Sequence, residues 1–215
     1  SFIPSTRLDS QWKPKNRREC NEPTSVAINA KVMKLNAAFL KALKDIGDKV
    51  RAVNGREIIW KFFPGEKGVG YDGLKSFLNR KLITVQMYPY TNYADFIDNL
   101  SEANLSLAPF PFGNTNSTVD ALMLGLPVVC LNSGEPCSTD IYITEQLGLT
   151  DRCIVEDAQQ YVTQTLKILT CKDAYQDFIT AVEGIDWPQI LENGDEDVGL
   201  ECKGFTNTML SLVNP

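Results

Sequence analysis

Histidine is absent from all 215 residues of this chain. Ser-His-Asp and Cys-His catalysis are therefore excluded within it, as are metal sites built on imidazole. Cysteine occurs six times, at Cys20, Cys130, Cys137, Cys153, Cys171 and Cys202, but with no C-x-x-C pair and no zinc-ligand spacing. Cys130 lies in an apolar stretch and reads as a small core residue. The set reads as free thiols in a reducing compartment, with the cytoplasm favoured; a Cys130–Cys137 disulfide is conceivable but unsupported.

No apolar run approaches the length that crosses a bilayer. The opening Ser1-Phe2-Ile3-Pro4 lacks the basic stretch and apolar core of a signal peptide, and the lack of an initial Met leaves the true start open. Positive charge is also short: 21 Lys and Arg stand against 27 Asp and Glu, a net charge of −6. That argues against nucleic acid or an anionic membrane as the main partner, while leaving room for a local basic site around a diphosphate. A G-x-G-x-x-G fingerprint is missing as well. After the first expected strand the chain reads Asn29-Ala30-Lys31-Val32-Met33-Lys34, which argues against an NAD-binding enzyme.

What is present is ordinary globular composition, 43% apolar and 22% charged, on a chain long enough for one good core or two small ones. Residues 1–23 are polar and carry Pro4, Pro14, Pro23 and a basic cluster of Lys13, Lys15, Arg17 and Arg18. They read as a linker or an arm over a neighbouring domain, with the cluster a solvated face. Strands are expected at Ser25–Asn29, Glu57–Phe63, Leu82–Tyr88, Leu105–Ala108, Pro127–Leu131 and Cys153–Val155. Helices are expected over Lys34–Val50, Asp72–Lys81, Tyr93–Ala103, Asn116–Leu124, Thr139–Leu147, Asp157–Leu169 and Lys172–Glu183, with a last one over Gly199–Val213. This alternation implies that residues 24–215 form an α/β domain, a Rossmann-like parallel sheet with helices on both faces. Ligands of such sheets bind beyond the carboxyl ends of the strands. Lys34 and Gly113 both follow strands and so converge on that edge.

The most informative segment runs Pro109-Phe110-Pro111-Phe112-Gly113-Asn114-Thr115-Asn116-Ser117-Thr118-Val119-Asp120. It links an apolar strand to a helix. Gly113 lets the backbone turn where a side chain would obstruct. Asn116, Ser117 and Thr118 sit at the helix start, where free N–H groups and the dipole attract an anion. Asp120 follows Asn116 by one turn, and its carboxylate suits a pair of ribose hydroxyls. The same residues are also ordinary helix caps, and an early Asp suits the dipole without a ligand. Pattern alone leaves both readings open.

This segment, with Leu124-Gly125-Leu126-Pro127-Val128-Val129-Cys130, resembles the donor-site stretch of the bacterial cytoplasmic N-glycosyltransferases that modify adhesins. These share glycosyltransferase family 41 with the nucleocytoplasmic O-linked N-acetylglucosamine transferases. Val32-Met33-Lys34-Leu35-Asn36, with Phe39-Leu40 and Ala42-Leu43-Lys44, resembles the family's first strand-to-helix segment. Tyr88-Pro89-Tyr90 with Tyr93 resembles the stretch before its third helix, and Gln146-Leu147-Gly148-Leu149 a segment after the donor motif. Order and spacing agree from Arg18 to Ile154.

The resemblance implies the C-terminal, donor-binding half of a GT-B glycosyltransferase. It implies a UDP-sugar as donor substrate, with UDP-glucose or another UDP-hexose leading, no cofactor and no metal. It further implies inversion at the anomeric carbon and a protein or peptide acceptor. The chain is too short for both Rossmann-like domains, so the N-terminal half would come in cis or from another chain, bringing any catalytic base.

Lys34 matches a lysine that contacts the donor diphosphate, and would stabilise the leaving group. Asp120 matches a ribose contact. Asn116, with the N–H groups of Ser117 and Thr118, would face the phosphates, in a loop completed by Gly113, Asn114 and Thr115. Glu66 falls where the family tends to carry a neutral glutamine near the uracil; its carboxylate reads either as an acceptor for the uracil N–H or as a solvated loop charge. Tyr88 and Tyr90 either stack on a base or pack, and Tyr93 is expected to pack.

Three departures bear on function. Ser117 replaces a glycine usual in the family and narrows the backbone approach to phosphate. The family's histidines before the Pro-Tyr segment and after the donor motif give way to Val85-Gln86-Met87-Tyr88 and Cys137-Ser138-Thr139-Asp140. The residues of the N-terminal half are absent. Two readings survive: the donor half of an enzyme, or a diverged homologue that binds a nucleotide sugar or scaffolds without transferring.

Overall fold

The computed structural model describes residues 25–134 and 139–187. The arm expected over residues 1–23, the helix expected over Gly199–Val213, and Cys20, Cys137 and Cys202 lie outside the described residues. Every element below belongs to one unit that ends at Gly184.

Six strands are described: β1 (Ser25–Ile28), β2 (Ile59–Phe62), β3 (Val85–Met87), β4 (Leu105–Leu107), β5 (Val128–Leu131) and β6 (Ile154–Val155). They lie in the order β3-β2-β1-β4-β5-β6, and every pairing is parallel. Parallel neighbours need long crossovers. These are supplied by α1 (Ala37–Asn54), α2 (Val69–Lys81), α3 (Tyr93–Ser101), α4 (Asn116–Met123), and α5 (Thr139–Gln146) with α6 (Thr150–Cys153). After β6 come α7 (Ala158–Thr170) and α8 (Lys172–Glu183). The Rossmann-like expectation holds. β1 and β4 are buried at every position, as a sheet covered on both faces requires.

α1 buries Phe39, Ala42, Leu43, Ile46 and Val50, one stripe at helical spacing. α7 buries Tyr161, Val162, Thr165, Ile168 and Leu169. Between these two helices the Phe110 ring meets Phe39 at 5.5 Å and Tyr161 at 5.1 Å, both edge-on. The Tyr161 hydroxyl donates to the Ala108 carbonyl oxygen at 2.9 Å. Burying each such ring stabilises by about 1.5–3 kcal/mol. The core thus holds the base of the loop that follows β4.

The first helix differs from expectation. Val32–Lys34 forms a separate tight turn, and α1 opens only at Ala37. The cause is Asn36, which is extended and caps α1 by accepting the Phe39 N–H at 2.9 Å. Its amide nitrogen donates to the Phe110 carbonyl at 2.7 Å, tying the start of α1 to the loop after β4. Lys34 therefore ends a short turn rather than opening a helix. The strand expected at Leu82–Tyr88 shortens to Val85–Met87 because the Leu82 N–H still closes α2 on Leu78 at 2.8 Å. No helix among the described residues is long and apolar enough to cross a membrane.

Strand order reverses between β1 and β4, so a crevice opens at their carboxyl ends. Lys34 follows β1, Glu66 follows β2, Tyr88 and Tyr90 follow β3, and the Gly113 loop follows β4.

Candidate functional site

Lys34 and the Gly113 loop meet across the crevice. Lys34 Nζ donates to the Gly113 carbonyl oxygen at 2.6 Å. Partial burial holds the ammonium below the usual lysine pKa; the charge of Asp140 pulls it back up, and Lys31 pushes it down again.

Gly113 has φ +62°, a backbone that favours glycine. A Cβ there would also collide with the Asp140 carboxylate. The obstruction expected at Gly113 is thus a carboxylate of the chain itself. Thr115, β-branched, stands at φ +50°, a conformation costing about 1–3 kcal/mol that persists only where neighbours fix it.

Asp140 supplies that fixation. Its carboxylate accepts the Asn114 N–H at 2.6 Å and the Thr115 N–H at 2.5 Å. The Thr115 and Thr139 hydroxyls bond to each other. Asp140 is 0% exposed. Burial raises its pKa above the ordinary carboxylate value, while the Asn114 N–H, the Thr118 hydroxyl, the Thr115 N–H and the Lys34 charge each pull it down. Successive N–H groups in such a turn make an anion-holding concavity, and here it closes on α5.

α4 starts without a side-chain cap, since Thr115 occupies the capping position but makes no cap bond. The ordinary capping reading of this segment is therefore not how the helix begins. The Ser117 N–H reaches the Asn114 carbonyl only at 3.4 Å, and the Thr118 N–H reaches that of Thr115 at 3.1 Å. Asn116 is exposed, Ser117 half-buried and Thr118 buried.

Asp120 is buried, and its Oδ1 accepts the Tyr93 hydroxyl at 2.6 Å; both residues make further contacts. Any ribose contact would share Asp120 with Tyr93. The Tyr88 ring stacks on Phe63 at 4.6 Å with 9° between planes, so one of its faces is taken by packing. Tyr90 is 67% exposed. Glu66 is half-buried; its carbonyl accepts the Tyr90 N–H at 2.9 Å and its carboxylate lies beside Gly70 in the first turn of α2. The fold thus joins Lys34 directly to Gly113 and carries Asn116 and Asp120 on the adjoining helix. Glu66 stands on the same edge, one strand over from β1.

Sequence reasoning did not single out Asp140, Asn36 or the Tyr93–Asp120 bond. An Asp in a first helical turn reads as an ordinary dipole partner. Nothing local marks Asp140 as bonding a turn 26 residues earlier.

No protein-family model matches the chain. Over 154 residues it is 29% identical to a UDP-glucose:protein N-β-glucosyltransferase of Actinobacillus pleuropneumoniae serotype 5b, and equally to that of serotype 7. Over that span the chain is similar in sequence to these two enzymes. The match covers 70% of this chain, which spans about a quarter (24%) of those relatives' length. Solved glycosyltransferases share the fold. An O-GlcNAc transferase mutant of Thermobaculum terrenum superposes at TM-score 0.58 and 12% identity, over 84% of this chain and 38% of that one. The pneumococcal O-GlcNAc transferase GtfA, solved with UDP and GlcNAc, gives 0.55 and 15%, over 92% and 39%. A TarM mutant of S. aureus, solved with UDP among its ligands, gives 0.58 and 12%, over 86% and 36%. The architecture is that of a Rossmann-like half of a GT-B glycosyltransferase.

Proposed function

We propose that this chain is the donor-binding half of a cytoplasmic, inverting GT-B glycosyltransferase that takes a UDP-hexose, UDP-glucose foremost, and glycosylates a protein or peptide. The observation that carries this reading is the Lys34 ammonium held on the Gly113 carbonyl at 2.6 Å, at the carboxyl ends of β1 and β4 and beside an uncapped helix start. A fixed cation and the positive end of a helix are what a departing diphosphate needs when no divalent ion assists.

In this reading Lys34 and the start of α4, from Asn116 to Thr118, offset the charge of UDP. Asp120 holds the ribose together with Tyr93, and Gly113, Asn114 and Thr115 shape the loop. Glu66 takes the uracil edge. The acceptor's lone pair attacks the anomeric carbon, the bond to the UDP oxygen breaks, and UDP leaves with that electron pair. The acceptor's proton passes to a base supplied by an N-terminal half, in cis or from another chain.

The test is transfer by the protein with its N-terminal half present. UDP release from UDP-glucose that depends on an acceptor peptide, and is lost in Lys34→Met, supports the reading. A second reading, a nucleotide-sugar-binding homologue without transfer, is favoured by the lack of any histidine in the chain. Tight UDP binding with no acceptor-dependent release would establish it instead.

A further inference from the structure

Asp140 lies on the first turn of α5, outside the donor motif, and no step above uses it. We propose that Asp140 is the positioning residue of the donor loop, its buried carboxylate fixing the peptide that presents the Gly113 carbonyl to Lys34. This rests on the reading of the crevice as a UDP-sugar site.

The geometry follows from one planar unit. The Gly113 carbonyl and the Asn114 N–H belong to the same peptide bond, and in a trans peptide they point in opposite directions. Asp140 takes the N–H at 2.6 Å and Lys34 takes the carbonyl oxygen at 2.6 Å. A carboxylate at one end and an ammonium at the other polarise that peptide in the same sense, so each bond strengthens its partner. The second N–H, from Thr115 at 2.5 Å, prevents rotation of the carboxylate and holds Thr115 at φ +50°. Gly113 has no side chain because Asp140 fills the space one would occupy. Asp140 thereby places Lys34 without touching the ligand.

Charge placement follows as well. Lys34 feels Asp140 as the group that raises its pKa, against burial and Lys31. Facing Asp140 from the other packed elements are Cys130 of β5 and Tyr161 of α7. Burial pushes both of these well above their ordinary values.

The test compares the parent with Asp140→Asn. Asparagine keeps the shape, but its NH2 cannot accept the second N–H. UDP affinity should fall about tenfold or more, the scale of a lost charged hydrogen bond. The alkaline limb of UDP binding should also move to lower pH, which a purely structural role would not cause. Without ligand, the Asn114 and Thr115 amides should exchange at least tenfold faster in the variant, with β1 and β5 amides unchanged. Equal affinity with an unmoved limb, or unaltered exchange at those two amides, overturns the proposal. If the parent fails to bind UDP, the UDP-sugar reading falls, and amide exchange alone still decides the role of Asp140. If the variant does not fold, acid titration of the parent by NMR decides. The two amide shifts must follow the Asp140 carboxyl, and independent titration overturns the proposal.

Discussion

The Lys34 ammonium donates to the Gly113 carbonyl oxygen at 2.6 Å across 79 residues of chain. Topology alone brings them together: Lys34 closes the turn after β1, Gly113 lies in the loop after β4, and β1 and β4 are neighbours in the sheet. The partly buried cation is stable there because a carbonyl and the Asp140 carboxylate face it.

Lys34→Met should weaken UDP binding about 10- to 100-fold, from loss of a charge-assisted bond of about 1.5–3 kcal/mol. Stability should fall by about 1–3 kcal/mol as well, since methionine leaves the buried Gly113 carbonyl without its donor. In the proposed site the Lys34 contact to UDP needs the protonated amine, and the Lys34 pKa is lowered. Affinity should therefore decline as pH rises through a value below that of ordinary lysine. Lys34→Arg should remove this alkaline limb. Calorimetry from neutral to alkaline pH checks both, and a limb that persists in the arginine variant contradicts the assignment.

Asp120→Asn should reduce discrimination between UDP and 2′-deoxy-UDP while the fold persists, because the amide still accepts the Tyr93 hydroxyl. The expected loss of UDP affinity is about tenfold, one charged hydrogen bond to ribose. Unchanged discrimination would mean that Asp120 serves only Tyr93 and its other structural contacts.

Gly113→Ala should destabilise by at least about 1–2 kcal/mol from left-handed backbone alone, and by more through displacement of Asp140. Urea denaturation measures the total. In an Asp140→Ala background the second part should vanish, leaving the backbone cost.

The raised pKa of Asp140 has a linkage consequence with a definite sign. The folded state holds this proton more tightly than the unfolded chain. Its contribution to stability is fully present below the unfolded pKa and is lost as pH rises through the folded one. The stability of the parent minus that of Asp140→Asn should therefore grow as pH is lowered through this window. Denaturant melts of both proteins across the acid range read the difference, and a difference that shrinks towards acid is the opposite sign.

Much of this was legible in the sequence. Short apolar runs bounded by Gly, Pro and Asn gave the alternation, and alternation implies a parallel sheet whose carboxyl edge gathers Lys34 and the Gly113 loop. Other parts depended on contacts distant in sequence. Asn36 looks like one more residue of a helical run, yet its two bonds, to Phe39 and Phe110, set where α1 starts. Thr115 looks like a capping threonine, but its N–H and hydroxyl are drawn to α5. Asp140 looks like a solvated helix-start acid and is buried under the loop it shapes. Tertiary partners decided all three, and no local propensity encodes them.

Calorimetric titration of the chain with UDP, alongside GDP and NAD and with and without magnesium, tests the central claim most directly. Selective binding of UDP that does not require magnesium is the predicted result. Absence of UDP binding, or binding of GDP or NAD as tight as that of UDP, would contradict a UDP-sugar site at the Lys34–Gly113 crevice.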